Sequence, residues 1–215
     1  MKYILKVNTR TSDLVSVNDR HKKFINGIIG LDNNWGLQPG IDYVAPEFKN
    51  SESLTTFPLG KMLKKKQKGD IIYVYRSSKL TDEGVDDDRV WLEFNPAKVD
   101  YQQLVYEALP LYISNFNAYL AQIYDDEFID IDFDLSRGKN LREVIYRFYP
   151  VHYIDDQLCT RALGYNLYEM KERLEGNVEA ILSIGRGLLI ISTSLVMSLD
   201  DAIENHNKIN FLLRR

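Results

Sequence analysis

One cysteine in 215 residues, Cys159, leaves no partner for an intramolecular disulfide and no thiolate set for a structural metal site. The three histidines, His21, His152 and His206, stand far apart, with no i, i+4 pair of the kind a zinc-binding helix needs. No apolar run is long enough to cross a bilayer: the longest, Leu188 to Met197, carries Ser192, Thr193 and Ser194 inside it. The opening Met-Lys-Tyr-Ile-Leu-Lys is too short in apolar residues for a signal peptide. A cytoplasmic location without membrane association is therefore expected. Positive charge is not in excess either. The net charge of −4 argues against non-specific nucleic-acid binding as the main task.

What remains is an ordinary globular composition, 45% hydrophobic and 27% charged, in a chain long enough to bury a core. The continuous tetrad Leu188-Leu189-Ile190-Ile191 predicts a strand buried on both faces. Gly185-Arg186-Gly187 before it predicts a tight turn, and a strand from Glu179 precedes the turn. Ser198 with Asp201 predicts the start of a closing amphipathic helix. Near the N-terminus, residues 2–8 read as a strand, and Val17, His21, Phe24, Ile25, Ile28 and Ile29 form one helical stripe ended by Gly30. Residues 31–58 carry loop chemistry at a length that implies function or a concealed element. Pro58 opens a short helix, and Ile71–Tyr75 with Arg89–Phe94 make a hairpin whose long tip holds Asp86, Asp87 and Asp88.

Asp100 and Gln103 begin a long helix whose stripe runs from Leu104 to Ile123, kinked rather than broken by Pro110. Phe128–Leu135 alternates without a fault, predicting a half-buried strand with Asp130, Asp132 and Asp134 on its outer face. Helices are then expected from Asn140 to Pro150, from Ile154 to Gly164, and from Asn166, with Glu169 completing a capping box, to Gly176. Strands at both ends and in the middle, with helices between, give an α+β class with a mixed or antiparallel sheet. Residues 1–215 are read as one domain, with room for two lobes joined near residues 96–100.

No catalytic constellation emerges. Asp130-x-Asp132-x-Asp134 begins like a calcium loop, but Leu135 stands where glycine is required and Leu141 where glutamate is. Gly185-x-Gly187 precedes a strand, not a helix, and lacks the third glycine of a dinucleotide fingerprint. Cys159 lies within a predicted helix, the setting of a small buried hydrophobe. No cofactor or metal is expected. Two surface features point to a partner instead. The aspartates read either as a solvated face or as anionic strips suited to a basic protein, and the 14 tyrosines suit both a core boundary and a binding surface. Arg186, between glycines, is placed to reach a carboxylate or phosphate. Lys61–Lys68 reads as a solvated face, since no aromatics interleave with it.

The C-terminal third runs Leu163-Gly164-Tyr165, then Gly185-Arg186-Gly187-Leu188-Leu189-Ile190-Ile191-Ser192-Thr193, then Leu199-Asp200-Asp201. This resembles the closing region of the immunity protein 52 group, small α+β proteins that accompany bacterial polymorphic toxins. Gly185-Arg186 matches that group's Gly-Arg pair. Its Trp-x-Gly motif differs here, Trp35 being followed directly by Gly36. The resemblance implies a non-catalytic protein that binds and neutralises a cognate toxin, in some members' neighbourhoods a nuclease. The partner surface expected on these grounds comprises Asp86, Asp87, Asp88, Asp130, Asp132, Asp134, Arg186 and Trp35. Two alternatives differ in class: a small enzyme on an anionic or phosphorylated molecule, with Arg186 as anchor and carboxylates as acid and base, and nucleic-acid binding through the lysines.

Overall fold

The structure, a computed structural model, describes residues 1–49, 53–77 and 79–214. In chain order its elements are β1 (Tyr3–Thr9), α1 (Val17–Ile29), β2 (Leu54–Phe57), α2 (Leu59–Met62), β3 (Lys68–Val74), β4 (Asp88–Phe94), α3 (Tyr101–Gln103) and α4 (Leu109–Phe116). There follow β5 (Leu120–Asp125), α5 (Phe128–Ile131), α6 (Phe133–Ser136), β6 (Val151–Asp155), α7 (Asp156–Leu163), α8 (Leu167–Leu174), β7 (Ala180–Ile184), β8 (Gly187–Ile191) and α9 (Leu199–Leu212). The strands form one eight-stranded sheet in the order β2-β3-β4-β1-β5-β6-β8-β7, antiparallel at every pairing. The class is α+β, as the sequence predicts.

Alternation along the strands divides the core between two faces. On the first face Leu5, Val7, Leu92, Ile123, Val151 and Leu189 pack under α1 and α4, with Phe24, Tyr112 and Phe116 interlocking edge to face. On the second, Leu120, Ile154 and Ile190 pack under α7, α8 and α9. The tetrad Leu188–Ile191 is buried on both faces, as its composition requires. Among the described residues, the second face carries helices over the β5-to-β8 half alone; on β3, β4 and β1, Asp70, Ile72, Arg89, Trp91, Glu93 and Lys6 remain half-buried. An antiparallel sheet tolerates one wet face.

Local signals set most element ends. Asp100, Asn166 and Ser198 each accept the expected backbone N–H at a helix start, Ser16 does the same for α1, and Asn166 with Glu169 completes a capping box. Gly185 turns the β7–β8 hairpin at φ +55°, and Gly187 is required for a different reason: a Cβ there would lie 2.4 Å from the Ile154 carbonyl oxygen on β6. Gly187→Ala is expected to cost about 1–3 kcal/mol, read as a lower denaturant midpoint. A midpoint equal to wild type would show that β6 and β8 can part without loss.

Four predictions are corrected. The helix from Asp100 does continue past Pro110 unbroken, through a π-helical turn, Leu104–Ala108, that widens the coil where proline offers no N–H and crowds the preceding turn. It ends at Phe116, however, where Asn117 adopts φ 55°. Tyr119, Leu120 and Ile123 belong to the Tyr119–Asp125 run into β5 rather than to the helical stripe. Phe128–Leu135 is not a strand but the short helices α5 and α6. Residues 140–150 form no helix: Asn140 accepts at its carboxamide oxygen from the backbone N–H groups of Gly84 and Arg142, and the chain makes a single turn, Val144 N–H donating to the Asn140 carbonyl, without continuing it. The predicted helix from Ile154 begins instead at Asp156, after β6. The long loop conceals β2; its positions 50–52 lie outside the described residues.

Candidate functional site

The acidic residues proposed as partner contacts separate into two groups. Asp87 and Asp88 are fully buried at the end of the sheet where β1 finishes and β4 begins. Asp87 accepts from Arg142 Nε at 2.8 Å, from Asn8 Nδ2 at 3.2 Å and from the Tyr119 hydroxyl. Asp88 accepts from Val74 N at 2.9 Å and Arg76 Nη1 at 2.8 Å, and pairs with Arg20 Nε at 3.1 Å. Asp132 is buried between Arg147, whose Nε lies 2.8 Å from Oδ1, and the Tyr149 hydroxyl at 2.9 Å. Trp35 is also buried, 1% exposed, against Phe94. None of these four side chains can meet a partner. They hold the fold, each carboxylate matched by an arginine that makes its burial tolerable. Asp86 is half-buried and accepts from Thr81 N at 2.6 Å. Asp130 and Asp134 are exposed, though on helical turns rather than along a strand.

Arg186 lies at the mouth of a cleft of about 340 Å³, lined also by Arg10, Tyr153, Asp155, Asn117 and Gln157. The lone carboxylate in that lining, Asp155, accepts from Arg10 Nη2 at 3.2 Å and caps α7 through Leu158 N at 2.8 Å. Arg10 in turn lies over the Tyr119 ring, 4.3 Å from its centroid. The cleft is thus cationic, and its acid is already engaged.

A larger feature was not read from the sequence. In α5 and α6 the buried positions are Phe128 and Asp132, four residues apart on one helical face. Ile129, Ile131, Phe133 and Leu135 project outward, at 49%, 43%, 59% and 48% exposure, with Asp130 and Asp134 between them. A contiguous run of large exposed side chains is unusual for a solvated surface. Beside it lies the helix-free part of the sheet, carrying Trp91, with Lys68 Nζ 5.7 Å from its ring centroid. Where the two meet is a cavity of about 320 Å³ lined by Lys6, Tyr124, Tyr146, Ile129, Phe133 and Lys139, among others. The one available sequence signal was Lys6 itself, a lysine among the apolar residues Tyr3, Ile4, Leu5 and Val7.

His21 sits apart from the other two histidines, whereas His152 and His206 flank Phe148, and His206 is close enough to lower the His152 pKa further. His21 Nδ1 is 2.9 Å from the Tyr73 hydroxyl, His152 Nδ1 accepts from Tyr149 N at 3.3 Å, and His206 Nδ1 accepts from Phe148 N at 3.0 Å. Burial lowers the pKa of each, that of His152 to about 3. Burial raises the Cys159 thiol to about 11, the opposite of an activated nucleophile. Among the described residues, no three His, Cys, Asp or Glu side chains come together to hold a metal ion. No described helix is long and apolar enough to cross a membrane.

No family model matches the chain, so the likeness to the immunity protein 52 group rests on the residues of the C-terminal third alone. No curated protein matches it either. Among solved structures, the T6SS protein PA0821 of Pseudomonas aeruginosa is similar in fold, with a TM-score of 0.52 and 11% identity. The match covers 98% of this chain and 72% of that one. At so low an identity the likeness is one of fold.

Proposed function

We propose that the protein is a non-catalytic immunity protein that binds and neutralises a cognate bacterial toxin. The observation that carries this reading is the outward-facing apolar run of α5 and α6 beside the open sheet face with Trp91. Large apolar and aromatic groups flanked by charge are what a protein interface uses as its energetic centre. The resemblance of the C-terminal third and the T6SS protein as a fold neighbour are both compatible with a toxin-related role. Asp130 and Asp134, with Asp126 and Glu127 nearby, give this surface an acidic rim, which would steer a basic toxin such as a nuclease and make association salt-dependent.

The enzyme alternative asks for free carboxylates near Arg186, and Asp155 is occupied by Arg10 and by the start of α7. Binding is therefore the better use of this architecture. Phe133→Asp and Trp91→Ala test the surface. Each is expected to weaken the toxin complex by about 2 kcal/mol, or roughly 30-fold, with little change in stability. Calorimetric titration that finds wild-type affinity in both variants would move the interface elsewhere.

A further inference from the structure

Lys6 projects from near the centre of the sheet, paired in register with Trp91 on β4 and Gln122 on β5. It is half-buried and lines the 320 Å³ cavity between the open sheet face and α5–α6. Every buried arginine here has an acidic partner: Arg20 has Asp88, Arg142 has Asp87 and Arg147 has Asp132. Lys6 has none: among the described residues, its amine makes neither a hydrogen bond nor an ion pair and keeps some contact with solvent. The acids that could serve it are spent. Asp132, in the same cavity, is held by Arg147 and Tyr149, and Asp87 by Arg142, Asn8 and Tyr119. Burial and the charge of Arg89 lower the Lys6 amine to about 8, with Asp87 opposing them. At neutral pH the amine remains largely a cation that lacks a counter-charge.

We propose that this cavity receives the carboxylate of an aspartate or glutamate side chain of the bound toxin, which pairs with Lys6; the inference rests on the immunity reading and deepens it. The chemistry favours a carboxylate over a phosphate. A single point charge suits one negative charge, whereas phosphate sites are built from forked arginines and backbone N–H groups. The aromatic walls, Tyr124, Tyr146 and Phe133, suit the methylene stem behind a carboxylate. Lys139 adds a second cation to the lining, and exposed Ile129 and Phe133 would exclude water around the pair once the partner is seated. An acidic anchor entering a cationic pocket is compatible with an otherwise basic partner steered by the acidic rim. The rim governs approach, and the pocket governs residence.

The test is Lys6→Met, measured on the full chain against the toxin encoded by the adjoining gene. Methionine fills the stem volume and removes the unpaired charge. The free variant is therefore expected to melt at the wild-type temperature or about 2–4 °C above it, while its complex weakens on the order of 30-fold or more. Wild-type affinity in a folded variant overturns the proposal. Should the variant fail to fold, amine acetylation of the wild-type protein read by mass spectrometry decides instead. Lys6 is expected to react in the free protein and to be shielded in the complex, and equal labelling in both overturns the proposal. Failure of the wild-type protein to bind the toxin at all is a different result, which removes the immunity reading itself.

Discussion

Replacing Asp88 with alanine is expected to lower stability by about 3–5 kcal/mol, which for a chain of this length is a fall of roughly 6–20 °C in melting temperature. The carboxylate is fully buried and binds two guanidiniums, Arg20 and Arg76, together with the backbone N–H of Val74. Its removal strands Arg20, itself only 6% exposed, without a counter-charge, and leaves one β3 donor unpaired. Asp88→Asn keeps the shape and one acceptor but not the charge, so it should recover part of the loss. The surface pair of Lys2 with Glu93 sets the contrast. Lys2 is mostly solvated, and Lys2→Ala should cost under about 1 kcal/mol. Thermal melts of the three variants check the ranking. An Asp88→Ala protein as stable as Lys2→Ala would mean that the arginines find water or new partners.

Acid should begin to destabilise the protein above the pH at which ordinary carboxylates are neutralised. His152 is buried, and its folded pKa is lowered to about 3; in the unfolded chain it returns to about 6.5. Below pH 6.5 the unfolded chain therefore binds a proton that the folded one refuses. The stability that this histidine contributes is complete above pH 6.5 and is lost progressively as pH falls toward 3. The shift corresponds to about 4–5 kcal/mol in total. His21 and His206, also lowered by burial, act in the same direction. Denaturant midpoints measured from pH 8 to pH 4 should be level at the top and decline below about 6.5. His152→Gln retains an acceptor for Tyr149 N and removes the proton uptake, so its decline should be shallower. An identical slope in both proteins would assign the acid sensitivity to other groups.

Much of the fold was legible because its signals are local. Asp100, Asn166 and Ser198 cap helices through their own side chains, and the Gly185–Gly187 turn needs only glycine's freedom and smallness. Burial on both faces hid the change from helix to strand at residue 117: five of the six β5 positions are buried, Gln122 and Asp125 among them, so its residues do not alternate as those of a half-buried strand do. Asn117, among the described residues the one non-glycine with positive φ, was the available marker. The run 128–135 misled for the opposite reason. A period of two implies a strand only if its apolar members are buried, and here Ile129, Ile131, Phe133 and Leu135 all face outward.

The same substitution of exposure for burial displaced the candidate site. Asp87, Asp88 and Asp132 looked like solvated charge because their counter-ions lie far off in sequence: Arg142 is 55 positions from Asp87, and Arg147 is 15 from Asp132. Sequence periodicity cannot show such pairings. What survives as surface from the acidic strips is Asp130 and Asp134, now set beside apolar neighbours that give a partner something to bury. Arg186 does reach a cleft, and Arg10 is the unanticipated residue that occupies the cleft's acid.

Survival of bacteria that express the adjoining toxin, with and without this protein in the same cell, tests the central claim most directly. Restored growth is expected, accompanied by a complex of the two proteins that Trp91→Ala and Phe133→Asp weaken. Undiminished killing in the presence of folded, abundant wild-type protein would contradict it.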